Sequence, residues 1–162
     1  MTIQSLLITV LRIFLGAILL FAGIAKLTSF SVFIADVAAY QILPLGLVKP
    51  SSYLIVSSEI TLGMALFIGY FSRGAGVLSA LVFLIFSVAL VIVLLREQPI
   101  VDCGCGNILF SLLDKMGFSV AKTPNWNIVI IDIVLVLASV GVVYSSQQGY
   151  GLDTLIKHVV TN

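Results

Sequence analysis

Four long apolar blocks, at about residues 3–27, 52–71, 75–95 and 127–144, alternate with shorter polar connections along the chain. A helix that crosses a bilayer needs roughly 20 consecutive, mainly apolar residues, so each block predicts a membrane-spanning helix. All four prolines, Pro44, Pro50, Pro99 and Pro124, fall outside the blocks. That is expected where each span keeps its backbone hydrogen bonds internal, and it predicts spans without an internal proline. Tyr53, Tyr70, Trp126 and Tyr144 stand at block ends, the level at which amphipathic rings favour the headgroup layer. The first block is read as a span and not as a cleaved signal. No Lys or Arg precedes Arg12, and the block exceeds the roughly 7–15 apolar residues of a signal core. The pattern predicts an all-α, integral membrane four-helix bundle forming a single domain over residues 1–162.

Four spans place both termini on one face, side A, and two longer connections on the other, side B. The first connection, residues 28–51, contains Phe30 through Tyr40, which suits a short helix lying at the interface. The second, residues 96–126, carries the chain's two cysteines, Cys103 and Cys105. Side A keeps the tight Ser72-Arg73-Gly74 turn and a tail after Tyr144. Composition agrees with this layout. Hydrophobic residues make up 60% of the chain and charged residues 9%, against about 25% charged in soluble domains. The predicted surroundings are therefore lipid. A formal net charge of +1 gives no footprint for nucleic acid.

Orientation is contested within the sequence. Lys26, Lys49, Arg96, Lys115 and Lys122 belong to side B, and only Arg73 and Lys157 to side A, so the positive-inside rule puts side B in the cytoplasm. Disulfide chemistry favours an oxidising compartment instead. With Lys26 and Arg96 read as functional, the expectation taken here is an extracytoplasmic side B.

Arg12, Glu59 and Asp132 lie within the apolar blocks, and Lys26 at the end of one. Ionisable residues inside a membrane are costly and face a bundle interior or a cavity. Residues seven or eleven apart share a helix face. On the first span Arg12, Gly16, Leu19, Gly23 and Lys26 form one stripe. Ser52, Glu59, Gly63 and Tyr70 form a second, and Asn125, Asp132 and Ser139 a third. Small residues on these stripes let membrane helices approach closely. The third span offers Ser79 and Ser87 and reads as a packing wall. At 1.5 Å per residue, Glu59 sits roughly 12 Å and Asp132 roughly 8 Å below side B, with Arg12 roughly 5 Å deeper than Glu59. Two readings stay open for these four residues. They form a polar interior or proton relay, or Arg12 and Glu59 form a buried ion pair that fixes helix register.

The thiols offer three readings. Residues two apart can meet the 4.4–6.8 Å Cα separation of a disulfide if the chain turns, which Gly104 and Gly106 permit. Such a small ring is expected to be strained and exchangeable. Asp102 disfavours a thiolate beside it, while Arg96 and Lys115 counter that. A metal would need further ligands, and the only histidine, His158, belongs to the side A tail. An inert or structural pair is the third reading.

The segments Arg12-Ile13-Phe14-Leu15-Gly16, Phe21 through Leu27, Tyr40 through Pro44 and Glu59 through Gly63 together resemble the MauE/DoxX-like membrane proteins. Asp102-Cys103-Gly104-Cys105-Gly106, followed by Trp126 and Asp132, resembles the MauE branch in particular. The resemblance covers nearly the whole chain. It departs at Gly106, where members often carry an aromatic residue, and at Ile131, where a basic residue is common. It implies a DoxX-like four-helix bundle in a bacterial cytoplasmic (inner) membrane that takes part in thiol–disulfide traffic. Cys103 and Cys105 would then be the exchanging, catalytic pair of a thiol–disulfide oxidoreductase, with Arg12, Lys26, Glu59 and Asp132 as the polar interior beneath. A thioredoxin-like protein or a dehydrogenase subunit, such as that of methylamine dehydrogenase, is the implied partner, and quinone the implied acceptor. Two competing functions remain: a scaffold that recruits such a partner without chemistry of its own, and a small transporter that uses the buried charges.

Overall fold

The computed structural model describes residues 3–96 and 126–145. It is all-helical over that range: α1 (Ile3–Thr28), α2 (Phe30–Ala39), α3 (Leu45–Ile68), α4 (Ser72–Leu95) and α5 (Trp126–Ser145). Among the described residues there is no strand. Four helices, all but α2, are long and apolar enough to cross a bilayer. Even the shortest of them, α5 at 20 residues, extends about 30 Å, the thickness of the hydrocarbon layer. The ten-residue α2 follows the first span where the sequence places a short helix. The protein is a four-helix integral membrane bundle with one short accessory helix.

The second span starts earlier than the apolar block suggested. Pro44 caps α3 with φ −58° and ψ 143°, and the helix runs from Leu45, so Pro50 lies inside it. The expectation of proline-free spans therefore fails for α3. Pro50 cannot donate to the carbonyl four residues back, and that residue, Gly46, is exposed, where other groups can satisfy it. The apolar window had stopped at Ser52 because Gly46, Lys49 and Ser51 dilute the hydropathy of a segment that is nonetheless helical.

Neighbouring spans run antiparallel. On the α1–α3 seam a β-carbon at Gly16 would lie 2.8 Å from the Phe67 amide nitrogen and 2.9 Å from the Gly63 carbonyl oxygen. Only glycine allows the two backbones this close, which is how small residues promote helix association in lipid. On the α4–α5 seam Gly76 faces Val143, and Leu90 clusters with Ile128 and Val129 at the other end. Ser79 and Ser139 are fully buried yet satisfied, each donating to the carbonyl four residues back in its own helix, at 2.6 and 2.8 Å. The central core gathers Leu15, Leu19, Leu62, Leu66, Phe83 and Leu135. Outward-facing residues are just as apolar, for example Leu54 at 70% and Leu137 at 65% exposure, whereas Arg12, Lys26, Glu59 and Asp132 are buried. An apolar outside with charge inside is the polarity of a protein dissolved in lipid.

Candidate functional site

The α1–α3 seam sets the register of the charged residues. Gly23 sits against Ile60 and the β-carbon of Glu59, so the next turn of α1 carries Lys26 alongside Glu59. Lys26 Nζ donates to Glu59 Oε1 in an ion pair whose side chains are almost wholly buried. The ammonium also stands 4.6 Å from the ring centroid of Phe86 on α4 and 5.5 Å from that of Phe33 on α2. Both distances lie within the roughly 6 Å at which an aromatic face attracts a cation. Lys26 occupies the last turn of α1, where the negative end of the helix dipole also favours a positive charge.

Asp132 on α5 completes the cluster. With Lys26, Glu59, Phe83 and Phe86 it lines a cavity of about 40 Å³. Glu59 Oε2 and Asp132 Oδ2 are buried and have no hydrogen-bond partner among the described residues. Four spans thus contribute to one polar spot: a cation from α1, one carboxylate each from α3 and α5, and aromatic walls from α4.

Arg12 does not join it. Its guanidinium packs beside Gly69 and places Nη1 3.5 Å from Ser72 Oγ, at the α3–α4 turn on side A. The buried pair is Lys26–Glu59, not Arg12–Glu59. A long side chain entering from side A extends toward its own face of the membrane, and Gly69 gives it room there. Gly69 holds φ +79° as it closes α3, and any side chain at that position would collide with the Arg12 guanidinium.

The predicted stripes translate well into burial. Arg12, Gly16, Leu19, Gly23 and Lys26 are all buried, as are Ser52, Glu59, Gly63, Asp132 and Ser139. Tyr70 leaves its stripe and is exposed, because the helix has already ended at Gly69. Sequence reading missed the aromatic contribution. Phe83 and Phe86 make α4 a wall of the site, and Phe33 brings in the accessory helix. Their helical spacing from Ser79 and Ser87 was a usable signal, but a phenylalanine in an apolar span carries no mark that separates a site wall from a lipid-facing residue. A second cavity, of about 170 Å³, lies between α2, α3 and α4, lined by Phe33, Tyr40, Ile55, Ile85, Phe86 and Ala89. Phe33 and Phe86 therefore stand between this cavity and Lys26. At the rim of side B, Arg96 Nη1 approaches the Gln41 carbonyl oxygen at 3.5 Å.

Cys103 and Cys105 lie outside the described residues, with Asp102, Lys115, Lys122, Asn125 and His158. Their connection leaves α4 after Arg96 and re-enters at Trp126. Both anchor points are on side B, the end of the bundle nearer Lys26 and Asp132.

No solved structure matches the chain. Among curated proteins, it is 33% identical to a methylamine utilization protein MauE of Methylophilus methylotrophus over 93 residues, which is 57% of this chain and 49% of that protein. It is 29% identical to a protein of the same name from Paracoccus denitrificans over 103 residues, 64% of this chain and 55% of that protein. The chain thus spans about half the length of the curated relatives it matches. The family model for methylamine utilisation protein MauE matches residues 4–145. That match takes in all four spans and the connection bearing the thiols, and on it the chain belongs to the MauE family.

Proposed function

We propose that this protein is a membrane thiol–disulfide redox protein whose Cys103/Cys105 pair exchanges electrons with a thioredoxin-like partner. In this reading it serves the maturation of a disulfide-bearing protein of methylamine utilisation, such as methylamine dehydrogenase. The observation that carries the proposal is the MauE match across residues 4–145, which embraces a Cys-Gly-Cys segment. The geometry adds support, since the buried Lys26–Glu59–Asp132 cluster leans toward the end of the bundle where that segment is anchored.

In the exchange, a partner thiolate attacks one sulfur of the Cys103–Cys105 disulfide and a mixed disulfide forms. The partner's second thiol then attacks that mixed disulfide. The partner leaves oxidised, and Cys103 and Cys105 remain as two thiols carrying two electrons more than before. A lipid-soluble quinone, when bound, would supply an acceptor for two electrons and two protons. The cavity between α2, α3 and α4 has room for a ring of that kind, with Phe33 and Phe86 as apolar walls and Asp36 and Tyr40 as its polar members. The thiols are assigned to the extracytoplasmic side, where disulfides persist.

A thioredoxin-like protein stripped of its resolving cysteine tests the exchange. Added to spheroplasts containing the protein with its pair oxidised, it is expected to form a covalent complex that a reductant dissolves. The Cys103→Ser/Cys105→Ser protein should form none. A complex seen only with inverted membrane vesicles would overturn the extracytoplasmic assignment, and no complex from either preparation would overturn the exchange itself.

A further inference from the structure

We infer that the Lys26–Glu59–Asp132 cluster is a proton-binding site inside the membrane, with one exchangeable proton held on Asp132. The inference rests on charge balance and is independent of the thiol chemistry. Two carboxylates and one ammonium line the same cavity, and the ammonium is committed to Glu59. With both carboxylates ionised the spot would carry one uncompensated negative charge in an apolar bundle. An isolated buried carboxylate is so costly that the group neutralises instead.

No other described residue supplies the missing charge. On α1 the remaining cation, Arg12, is engaged at the Gly69–Ser72 turn, and 14 residues of helix separate it from Lys26, roughly 21 Å along the axis. On α3 only Glu59 faces the cavity, and α4 presents Phe83 and Phe86, which do not ionise. Lys49, Arg73 and Arg96 are exposed at the helix ends. A second observation points to a bound species as well. Asp132 is 93% buried by its 7% exposure, it lines the cavity, and its Oδ2 has no hydrogen-bond partner among the described residues. A proton on that carboxyl removes the charge. The cavity's 40 Å³ has room for about two waters beside the carboxyl. Glu59 and Lys26 form the fixed counter-pair, and Asp132 is the exchanging member.

Infrared spectroscopy of the whole protein in lipid nanodiscs reads this directly, because a protonated carboxyl has a carbonyl stretch that shifts in D2O. At neutral pH, where exposed carboxyls are ionised, the wild-type protein is expected to show one such band. Asp132→Asn should abolish it. Lys26→Met, by removing the charge that keeps Glu59 ionised, should double its intensity. The Cys103→Ser/Cys105→Ser protein should keep the single band, so failure of the thiol proposal leaves this result standing. The inference is overturned if the wild type shows no band. It is also overturned if the band survives Asp132→Asn but disappears in Glu59→Gln, or if it appears only when sodium is withdrawn, which would make the site one for a metal cation.

Discussion

Lys26 and Glu59 attract strongly once removed from water, but each gives up hydration that its partner must largely replace. Their pair is fully enclosed, with side-chain exposures of 4% and 2%. Removing one partner of such a pair typically costs about 3–5 kcal/mol, whereas replacing both with apolar residues is near neutral. Lys26→Met is therefore expected to lower unfolding stability in detergent by about 3 kcal/mol, and Lys26→Met/Glu59→Leu to recover most of that loss. A double variant less stable than the single one would show that the pair is not the energetic unit described. The sequence identified both residues, and the ion pair that one of its two readings offered joined Glu59 to Arg12. Depth counted along one helix says how far a residue lies from an end. It does not say how two helices slide against each other. That offset is set by Gly16 against Phe67 and Gly23 against Glu59 and Ile60, contacts that exist only once the seam is packed.

At the scale of the element, the α1–α3 seam positions the site. A β-carbon at Gly63 would lie 2.8 Å from the Leu20 amide nitrogen and 3.0 Å from the Gly16 carbonyl oxygen. Neither is the end of a flexible side chain, so the helices themselves must separate. Gly63→Ala is expected to cost about 1–3 kcal/mol, the usual range for overpacking. It should also speed hydrogen exchange in the Lys26 turn while leaving the α4–α5 seam unchanged; unaltered exchange at Lys26 would mean that the seam does not hold the pair. The four spans were legible because a 20-residue apolar run has few alternatives in lipid, and the glycine stripes because helical period fixes which residues share a face. Pro50 was misjudged because hydropathy weighs composition, whereas α3 begins where Pro44 caps it. Phe33 and Phe86 were not legible, since their role depends on where an ammonium from another helix arrives.

The described residues form a bundle with lipid-facing Leu, Ile and Phe outside and buried charge within: the Lys26–Glu59–Asp132 cluster nearer the end from which the cysteine connection departs, and Arg12 toward the other end. That organisation separates two kinds of substitution. Changes at Lys26, Glu59 or Asp132 act on the interior, on stability and on proton occupancy. Changes at Cys103 or Cys105 are expected to remove the chemistry proposed for the pair. A scaffold that merely recruits a partner would be indifferent to the second kind, and a transporter using the buried charges would respond only to the first.

The central claim is that Cys103 and Cys105 exchange disulfides with a thioredoxin-like partner. It is tested most directly by the rate at which membranes containing the protein oxidise that reduced partner, with wild type, Cys103→Ser and Cys105→Ser compared at equal protein level. The account predicts that each serine variant drops to the rate of membranes lacking the protein. Full activity in both serine variants would contradict it.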